Sequence, residues 1–167
     1  PRGQTGTIYL VNPGGSAFEY FRDPQKTASA LREGYFTAGD IGHLDADGYL
    51  FLNGRSAEVI ISGGVNIYPQ EIDDVLAQHR AVADVACVGV PNEDLGEEVR
   101  AVVELRAGFA GDDAMRQSLL DFCAERLAKQ KWPRRIDFIV TLPRSPAGKV
   151  LRSALREEYW AGRSRQI

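Results

Sequence analysis

The sequence has 167 residues, of which 44% are hydrophobic and 26% are charged, and its net charge is −3 at pH 7. This length is enough for one ordinary domain, or for a small domain with part of another, and the composition is ordinary for a globular protein. No uninterrupted apolar stretch approaches the roughly 18–20 residues that span a bilayer, so we expect no transmembrane segment.

The basic residues concentrate near the end of the chain. From residue 129 onward there are ten Lys or Arg against three Asp or Glu. Such a segment attracts phosphorylated ligands, nucleic acid or an anionic surface, and a solvated basic helix face is an equally good interpretation. Aromatic residues do not alternate with the basic ones, so we expect no nucleic-acid partner.

In chain order, the first predicted elements are a strand and a short helix. Residues 7–11 alternate in polarity and are rich in β-formers, and the turn residues at 12–15 end that strand. Asp23 is a helix cap, Pro24 fits the first helical position, and Gly34 is predicted to end the helix.

A hairpin is predicted next, with strands at 41–44 and 49–53 around the turn Asp-Ala-Asp-Gly at 45–48. This turn lacks the third acidic position and the glutamate of an EF-hand loop, so we do not predict a calcium site. Residues 1–54 contain too little apolar mass to close a core. We therefore interpret them as the β-rich end of a larger N-terminal domain, and the opening without Met suggests a piece of a longer polypeptide.

From residue 55 the pattern changes to strands alternating with helices, which predicts a small α+β domain over 55–167. Its expected core is a three-stranded sheet with helices plus a hairpin. The predicted strands are 58–61, 82–90, 99–105 and 136–140. One predicted helix begins at Pro69, and two others cover 112–128 and 150–159. Cys87 and Cys123 lie within these apolar segments without metal-ligand spacing, which favours buried thiols in a reducing, cytoplasmic compartment.

Lys149 is the sharpest candidate for chemistry. It follows Gly148 in a loop that contains two prolines, just before the last predicted helix. A loop lysine is a compact cation with three donors, suited to charge that develops on phosphoryl and carboxylate oxygens, and glycine lets the backbone approach a ligand closely. A surface lysine beside a glycine is by itself common, but the string Leu-Pro-Arg-x-x-x-Gly-Lys-Val-Leu-Arg at 142–152 is unusual.

The other titratable candidates are weaker. His43 and His79 have no metal-ligand spacing and no partner nucleophile, so we interpret both as structural or solvent-exposed. Glu97 and Glu98 are adjacent on a predicted strand, where neighbouring side chains point to opposite faces, so we expect no shared acid–base site.

Several motifs occur in a fixed order along the chain and together resemble a known family. They are Tyr-Phe-Thr-Ala-Gly-Asp at 35–40, Asp-x-Asp-Gly-Tyr at 45–49, Gly-Arg at 54–55, Ile-Ile-Ser-Gly-Gly-x-Asn-Ile-Tyr-Pro-x-Glu-Ile at 60–72, Gly-Val-Pro at 89–91, Gly-Glu at 96–97 and the lysine loop. In this order, over about residues 3–156, they resemble the C-terminal third of the AMP-forming acyl-CoA synthetases. That group lies in the adenylate-forming ligase superfamily, with the luciferases and the nonribosomal peptide adenylation domains.

The resemblance implies roles for five residues. Asp40 matches the aspartate that binds both ribose hydroxyls of ATP, and Arg55 matches an arginine that contacts the nucleotide beside the interdomain hinge. Lys149 matches the lysine that bridges the acyl carboxylate and the α-phosphate during adenylation. Gly63 and Gly64 match a glycine loop that lines the pantetheine tunnel. The alternatives are a turn carboxylate at position 40, a structural salt bridge at 55 and a plain strand-to-helix turn at 63–64.

The resemblance also implies a two-step reaction. A carboxylic acid, expected to be a fatty acid, attacks the α-phosphate of Mg-ATP to give acyl-AMP, and the thiol of CoA then displaces AMP. A rotation of the C-terminal lid domain separates the steps. ATP, CoA and Mg²⁺ are expected to bind mainly through the N-terminal domain of the same protein, so we expect this chain alone to be inactive.

Two other functions remain open at this point: an adenylation domain that loads a carrier protein, and a non-catalytic module that binds a phosphorylated ligand. Three positions, Ala57, Val65 and Leu95, depart from the residues common in the family. These departures concern thioester formation more than adenylation.

Overall fold

The computed structural model of the protein describes residues 2–11 and 18–163, and it divides the chain into two compact units, Pro1–Ala57 and Glu58–Ile167. The turn predicted at 12–15 lies outside the described residues. No helix among the described residues is both long enough and apolar enough to cross a membrane.

The first unit consists mainly of short strands, as the sequence predicts, but the single strand expected at 7–11 is two strands that belong to different sheets. Two small antiparallel sheets form, one from β1, β5 and β6 and the other from β2, β4 and β3. The elements are β1 (Gly6–Thr7), β2 (Leu10–Val11), α1 (Pro24–Ala30), β3 (Leu31–Arg32), β4 (Tyr35–Phe36), β5 (Asp40–Leu44) and β6 (Leu50–Arg55).

Helix α1 begins at the predicted cap but ends earlier than predicted. The carboxylate of Asp23 accepts a hydrogen bond from the backbone N–H of Lys26 at 2.9 Å, and Pro24 occupies the first turn. After Ala30 the backbone enters β3, whose ladder with β4 satisfies the groups that a further helical turn would have used. Gly34, with a φ of 84°, therefore lies in the turn between those strands, and the prediction that it ends the helix is wrong.

The turn at 45–48 has the predicted form. Oδ1 of Asp45 accepts hydrogen bonds from the backbone N–H groups of Asp47 at 3.0 Å and Tyr49 at 2.8 Å, and Gly48 has a φ of 90°. The Asp45 carboxylate thus stabilises the turn through backbone groups.

Most of the exposed large apolar side chains belong to the first unit, whereas both clusters of buried apolar residues lie in the second. The described part of the first unit therefore has no substantial core of its own. The exposed residues are Tyr9, Leu10, Val11, Phe21, Leu31, Tyr35, Leu44, Tyr49, Leu50, Phe51 and Leu52.

The second unit is an α+β fold, as predicted, built on one five-stranded sheet. Strand β10 pairs antiparallel with β9, parallel with β11 and, through Gly96, with Ser62 of β7. The expected three-stranded sheet and the expected hairpin are thus parts of one continuous sheet. The elements are β7 (Ile60–Ser62), β8 (Val65–Ile67), α2 (Pro69–Leu76), β9 (Val82–Asn92), β10 (Gly96–Leu105), α3 (Asp113–Ala124), β11 (Arg135–Ile139) and α4 (Arg152–Trp160).

Both faces of this sheet are covered. Val85 and Cys87 of β9 pack in one apolar cluster with residues of α2 and α3, whereas Ala86 and Val88 pack in the other with Leu155 of α4. Because successive strand residues point to opposite faces, a strand buried on both sides needs an unbroken apolar run, and β9 has one.

The two cysteines are core thiols, as predicted. Cys87 and Cys123 are fully buried and unpaired by a disulfide. Burial raises the pKa of the Cys87 thiol well above its ordinary value and that of Cys123 to about 11.

Candidate functional site

Asp40 and Arg55 face each other across the first sheet. Asp40 is the first residue of β5, Arg55 is the last residue of β6, and the two are register partners. Oδ1 of Asp40 lies 3.3 Å from Nε of Arg55, and the side chains are 32% and 60% exposed, respectively. The salt bridge considered for Arg55 therefore exists, and its partner is the other predicted nucleotide residue. Such an exposed pair contributes at most about 1 kcal/mol, so both groups can bind a ligand instead.

The turn before Asp40 explains this placement. Gly39 has a φ of 84°, its N–H donates to Oγ1 of Thr37 at 3.0 Å, and its carbonyl accepts from the N–H of Ser56 at 2.8 Å. The carbonyl of Asp40 accepts from the N–H of Ile8 at 2.9 Å. The backbone around Asp40 is thus held on both sides by hydrogen bonds.

A cavity of about 460 Å³ lies beside Arg55 within the first unit. Its wall includes two cations, Lys26 and Arg55, of which Lys26 places its ammonium 4.1 Å from the ring centre of Tyr20. The two cations in its wall are suited to an anionic group of a ligand. The lining residues are Tyr20, Lys26, Ser29, Ala30, Thr37, Ala38, Gly39, Arg55, Ser56 and Ala57.

The predicted lysine loop is a tight hairpin turn. The carbonyl of Ser145 accepts from the N–H of Gly148 at 2.8 Å, and the N–H of Ser145 donates to the carbonyl of Lys149 at 2.8 Å. Pro146 follows Ser145, and Gly148 has a φ of 79°, which is the pattern of a three-residue loop with a left-handed last position. The positive φ of the turn therefore explains the glycine at 148. Close packing does not, because a Cβ at this position would meet nothing within 4 Å.

Lys149 is the residue that closes this turn, and its side chain is exposed. Within residues 2–11 and 18–163, its ammonium has no hydrogen-bond or ion-pair partner. By contrast, the ammonium of Lys131 forms an ion pair, at 2.7 Å from a carboxylate oxygen of Glu71. Lys149 therefore presents a cation whose donors are available to a ligand.

Gly63 and Gly64 form the turn of the hairpin β7–β8, which rules out the alternative of a plain strand-to-helix turn. Ser62 pairs with Val65, and the two glycines between them have φ values of 56° and 79°, as a two-residue type I′ turn requires. The N–H of Gly63 donates to the carbonyl of Leu95 at 2.9 Å, and a Cβ on Gly63 would lie 3.3 Å from Leu95 Cδ2.

The structure thus brings Asp40 and Arg55 together in the first unit. Lys149, Gly63 and Gly64 belong to the second unit, where each glycine or lysine turn is locally ordered by its own hydrogen bonds. Among the described residues there is no group of three or more His, Cys, Asp or Glu side chains that could hold a metal ion.

The two histidines have local structural contacts. The Nδ1 of His43 lies 3.1 Å from the side-chain oxygen of Asn53, and the ring stacks on Phe51. The ring of His79 packs edge-on against Phe122 at 5.2 Å between centroids. Burial, followed by the charges of the neighbouring arginines 80 and 126, lowers the pKa of His79 below its ordinary value.

Glu97 and Glu98 act separately, as their strand positions predict. Glu97 is 4% exposed, and its Oε2 accepts from the backbone N–H of Ile61 at 3.0 Å. Oε2 of Glu98 instead accepts from the amide of Asn92 at 2.8 Å. Each carboxylate therefore has its own partner.

Sequence reasoning missed one arginine, Arg152. Its side chain is only 13% exposed and lies 2.5 Å from a carboxylate oxygen of Asp73, which is itself buried. The two residues are 79 positions apart in the sequence, so no local pattern links them. The available signals were its place as the last residue of the unusual string at 142–152 and a basic residue at the start of a predicted helix, where a cation is usually unfavourable.

Comparison with known proteins places this geometry in context. Residues 71–149 match the family described as AMP-binding enzyme C-terminal domain. Over 167 residues the chain is 38% identical to the fatty acid–[acyl-carrier-protein] ligase ScoC of Streptomyces coeruleorubidus. This match covers the whole of the present chain and 31% of ScoC. It is 46% identical over 137 residues to the 2-succinylbenzoate–CoA ligase of Geobacillus kaustophilus, covering 82% of this chain and 27% of the ligase.

A solved structure gives the same result. The ATP-bound crystal structure of MatB from Rhodopseudomonas palustris superposes with a TM-score of 0.85 at 36% identity. The match covers 98% of this chain and 32% of MatB. The chain thus spans about a third of the length of the proteins that it matches.

Proposed function

The chain belongs to the C-terminal region of the adenylate-forming ligase superfamily, and on that premise we propose that it completes the active site of an AMP-forming acid–thiol ligase. In the first step, a carboxylate oxygen of the acid forms a bond to the α-phosphorus of ATP, and the bond to pyrophosphate breaks. In the second step, a thiol sulfur attacks the acyl carbon of acyl-AMP, and AMP leaves with the electrons of the acyl–oxygen bond.

The observation that carries this proposal is the exposed side chain of Lys149, the residue that closes an ordered hairpin turn. During adenylation, negative charge is shared among the attacking carboxylate, the α-phosphate and the leaving pyrophosphate. A fixed cation offsets that charge without reorganisation at the moment of reaction. The turn around Gly148 supports this role, because its hydrogen bonds fix the backbone from which the lysine extends.

Asp40 and Arg55 are the proposed nucleotide residues of this chain. An ionised carboxylate has two acceptor oxygens and can bind two neighbouring ribose hydroxyls, while the guanidinium offers donors to the nucleotide. ATP as the nucleotide is supported by the ATP-bound MatB structure. Mg²⁺ supplies charge neutralisation on the phosphates when it binds, but the described residues offer no cluster of ligands for it, and we propose none here.

For the second step we propose that the Gly63–Gly64 turn borders the channel of a pantetheine thiol. CoA and a carrier protein present the same thiol group, and the relatives include both kinds of ligase. CoA is our first candidate, and carrier loading is the second because ScoC matches the whole chain. The match to ScoC also supports a fatty acid as substrate, although the relatives act on chemically varied acids.

Two further features belong to the proposal. The exposed apolar residues of the first unit support a larger N-terminal domain that covers them and supplies the acyl pocket and phosphate-binding loop. The two buried, unpaired thiols support a reducing, cytoplasmic location.

The test is a pyrophosphate-release screen of the full-length protein that contains this chain, with fatty, aromatic and dicarboxylic acids. We expect release with at least one acid class, accompanied by AMP and, on adding CoA or a phosphopantetheine carrier, by a thioester. The chain by itself should produce no AMP. Conversion of ATP to ADP, or thioester formation without AMP, would contradict the proposed reaction.

A further inference from the structure

Arg152 occupies an unusual place. It is the first residue of α4, three positions after Lys149, and the helix has no side-chain cap at Leu151. The partial positive charge of a helix N-terminus disfavours a cation there, and an arginine side chain is normally well solvated. Arg152 is nevertheless only 13% exposed, so specific contacts must compensate for its position.

Three segments of the second unit provide those contacts. One terminal nitrogen of Arg152 lies 2.5 Å from Oδ2 of Asp73 in α2, and Nε lies 3.1 Å from Oε2 of Glu58. The other terminal nitrogen donates to the carbonyl of Cys87 in β9 at 3.1 Å. The guanidinium therefore uses all of its nitrogens and is held in one orientation.

Asp73 is as fully engaged as Arg152. It is 5% exposed, and its Oδ1 accepts from the backbone N–H of Cys87 at 2.7 Å. Burial raises the pKa of Asp73 above its ordinary value, and the positive charge of Arg152 opposes that rise. A buried carboxylate of this kind depends on its cation, and losing either partner leaves an unpaired charge in the interior.

The same arginine lies at the base of the lysine loop. The N–H of Leu151 donates to the carbonyl of Pro143 at 2.8 Å, and Val150 forms a bridge with Arg144. Arg152 follows this closed stem directly. On the other side of the stem, Arg144 donates to the carbonyl of Gly148 at 3.0 Å and pairs with Asp84, which lies in β9.

Two arginines thus attach the two sides of the lysine loop to the body of the second unit. Arg144 and its partner Asp84 are both partly exposed, and pairs of that kind are weak. Arg152 is itself largely buried, as is Asp73, and its contacts come from three separate segments, so they determine where the end of the loop lies.

We propose that Arg152 is a positioning residue for Lys149, fixing the base of the lysine loop against α2 and β9 through Asp73. It does not touch the reacting atoms. Arg152 holds the base of the loop in one position, so the side chain of Lys149 extends from one defined place rather than from several. This inference rests on the proposed function, because it requires that Lys149 act in adenylation.

The experiment measures the two half-reactions of the full-length protein separately: adenylation by ATP–pyrophosphate exchange, and thioester formation from supplied acyl-AMP. The variants are Arg152→Met, Arg152→Lys and Asp73→Asn. Arg100→Met is the matched control, because Arg100 is similarly buried (15% exposed) and also pairs with two carboxylates, Glu98 and Asp137, but lies on β10.

We expect Arg152→Met to lower the kcat of adenylation at least tenfold, with the KM for ATP within twofold and thioester formation nearly unchanged. Arg152→Lys should recover part of the loss. In the control, any loss should affect both steps in parallel. If Arg152→Met does not fold, Arg152→Lys and Asp73→Asn provide the test. Each of them should lower the rate of adenylation and leave thioester formation nearly unchanged.

A double variant identifies how the arginine acts. If Arg152 works through Lys149, adding Arg152→Lys to Lys149→Ala should cause no further loss of adenylation. Equal loss of both steps in the Arg152 variants, or unchanged adenylation, would overturn the positioning role. Normal adenylation in Lys149→Ala alone would instead overturn the proposed function, so the two failures are distinguishable.

Discussion

Oδ1 of Asp40 lies 3.3 Å from Nε of Arg55, at directly paired positions of β5 and β6. The two residues proposed to bind the nucleotide therefore form an ion pair with each other. Because both side chains are partly exposed, the pair is weak and can open at little cost. A ligand that binds either residue would replace the ion pair and would leave the fold intact.

The first prediction concerns Asp40→Asn in the full-length protein. The substitution keeps the shape but removes the charge, and a hydrogen bond to a charged group contributes roughly 1.5–3 kcal/mol. We expect the KM for ATP to rise about 10- to 100-fold, while the free energy of unfolding changes by less than about 1 kcal/mol. Steady-state kinetics and urea unfolding measure the two quantities. Asp47→Asn, at an exposed turn position of the same unit, is the control, and an unchanged KM for ATP would refute the nucleotide role.

The second prediction separates the turn at Gly63 from its proposed role in a thiol channel. Asn–Gly is the favoured dipeptide of a type I′ turn, so Gly63→Asn should preserve the hairpin β7–β8. The new side chain requires a small shift of Leu95, whose Cδ2 is 3.3 Å from the Cβ position. We expect thioester formation from acyl-AMP to slow at least tenfold and adenylation to remain within about twofold.

Gly108 provides the matched control for this substitution. It also has a positive φ, 90°, and open space around its Cβ position, so Gly108→Asn should leave both half-reactions unchanged. A Gly63→Asn protein that transfers its acyl group at the normal rate would show that the turn does not border the channel.

The third prediction concerns the reactivity of the two thiols. Burial raises the pKa of Cys123 to about 11 and that of Cys87 well above its ordinary value, so few of these thiols are ionised at pH 8. A thiolate-selective reagent should label neither cysteine in the folded second unit and both after unfolding in urea. Mass spectrometry of each peptide gives the result. Rapid labelling of Cys87 under native conditions would contradict its position beneath α2.

The fourth prediction concerns pH. The pKa of His79 is lowered by burial and then by Arg80 and Arg126, so the unfolded chain binds a proton at this residue more readily than the folded chain. Its stabilising contribution is therefore complete above the ordinary value near 6.5 and is lost as the pH falls through the lower, folded value. Urea unfolding between pH 7 and 5 should show a smaller loss of stability in His79→Gln than in the parent protein. An identical pH dependence in the two proteins would contradict this.

The sequence predicted local features better than long-range ones. The cap at Asp23, the turn at 45–48 and the buried run of β9 depend on neighbouring residues and were correct. The end of α1 was wrong because β3 exists only through its pairing with β4. Strand β8 was missed because three residues between a glycine turn and a proline show no clear period.

The same distinction applies to the candidate site. Motif resemblance selected Lys149 and Asp40, but it could not show that Asp40 pairs with Arg55, since that depends on the register of two strands. The contact of Arg152 with Asp73 joins residues 79 positions apart, and only the folded sheet brings them together. For Gly148 the structure supplied the reason, since the turn requires its positive φ.

We propose that the exposed ammonium of Lys149 acts in the first half-reaction and not in the second. The most direct test is Lys149→Ala in the full-length protein, with Lys129→Ala as the control at another exposed lysine.

We predict that Lys149→Ala lowers ATP–pyrophosphate exchange at least 100-fold, whereas thioester formation from supplied acyl-AMP stays within about threefold of the parent protein. Lys129→Ala should leave both rates unchanged. Exchange at the parental rate in Lys149→Ala, measured at saturating acid and ATP, would show that this ammonium has no part in adenylation.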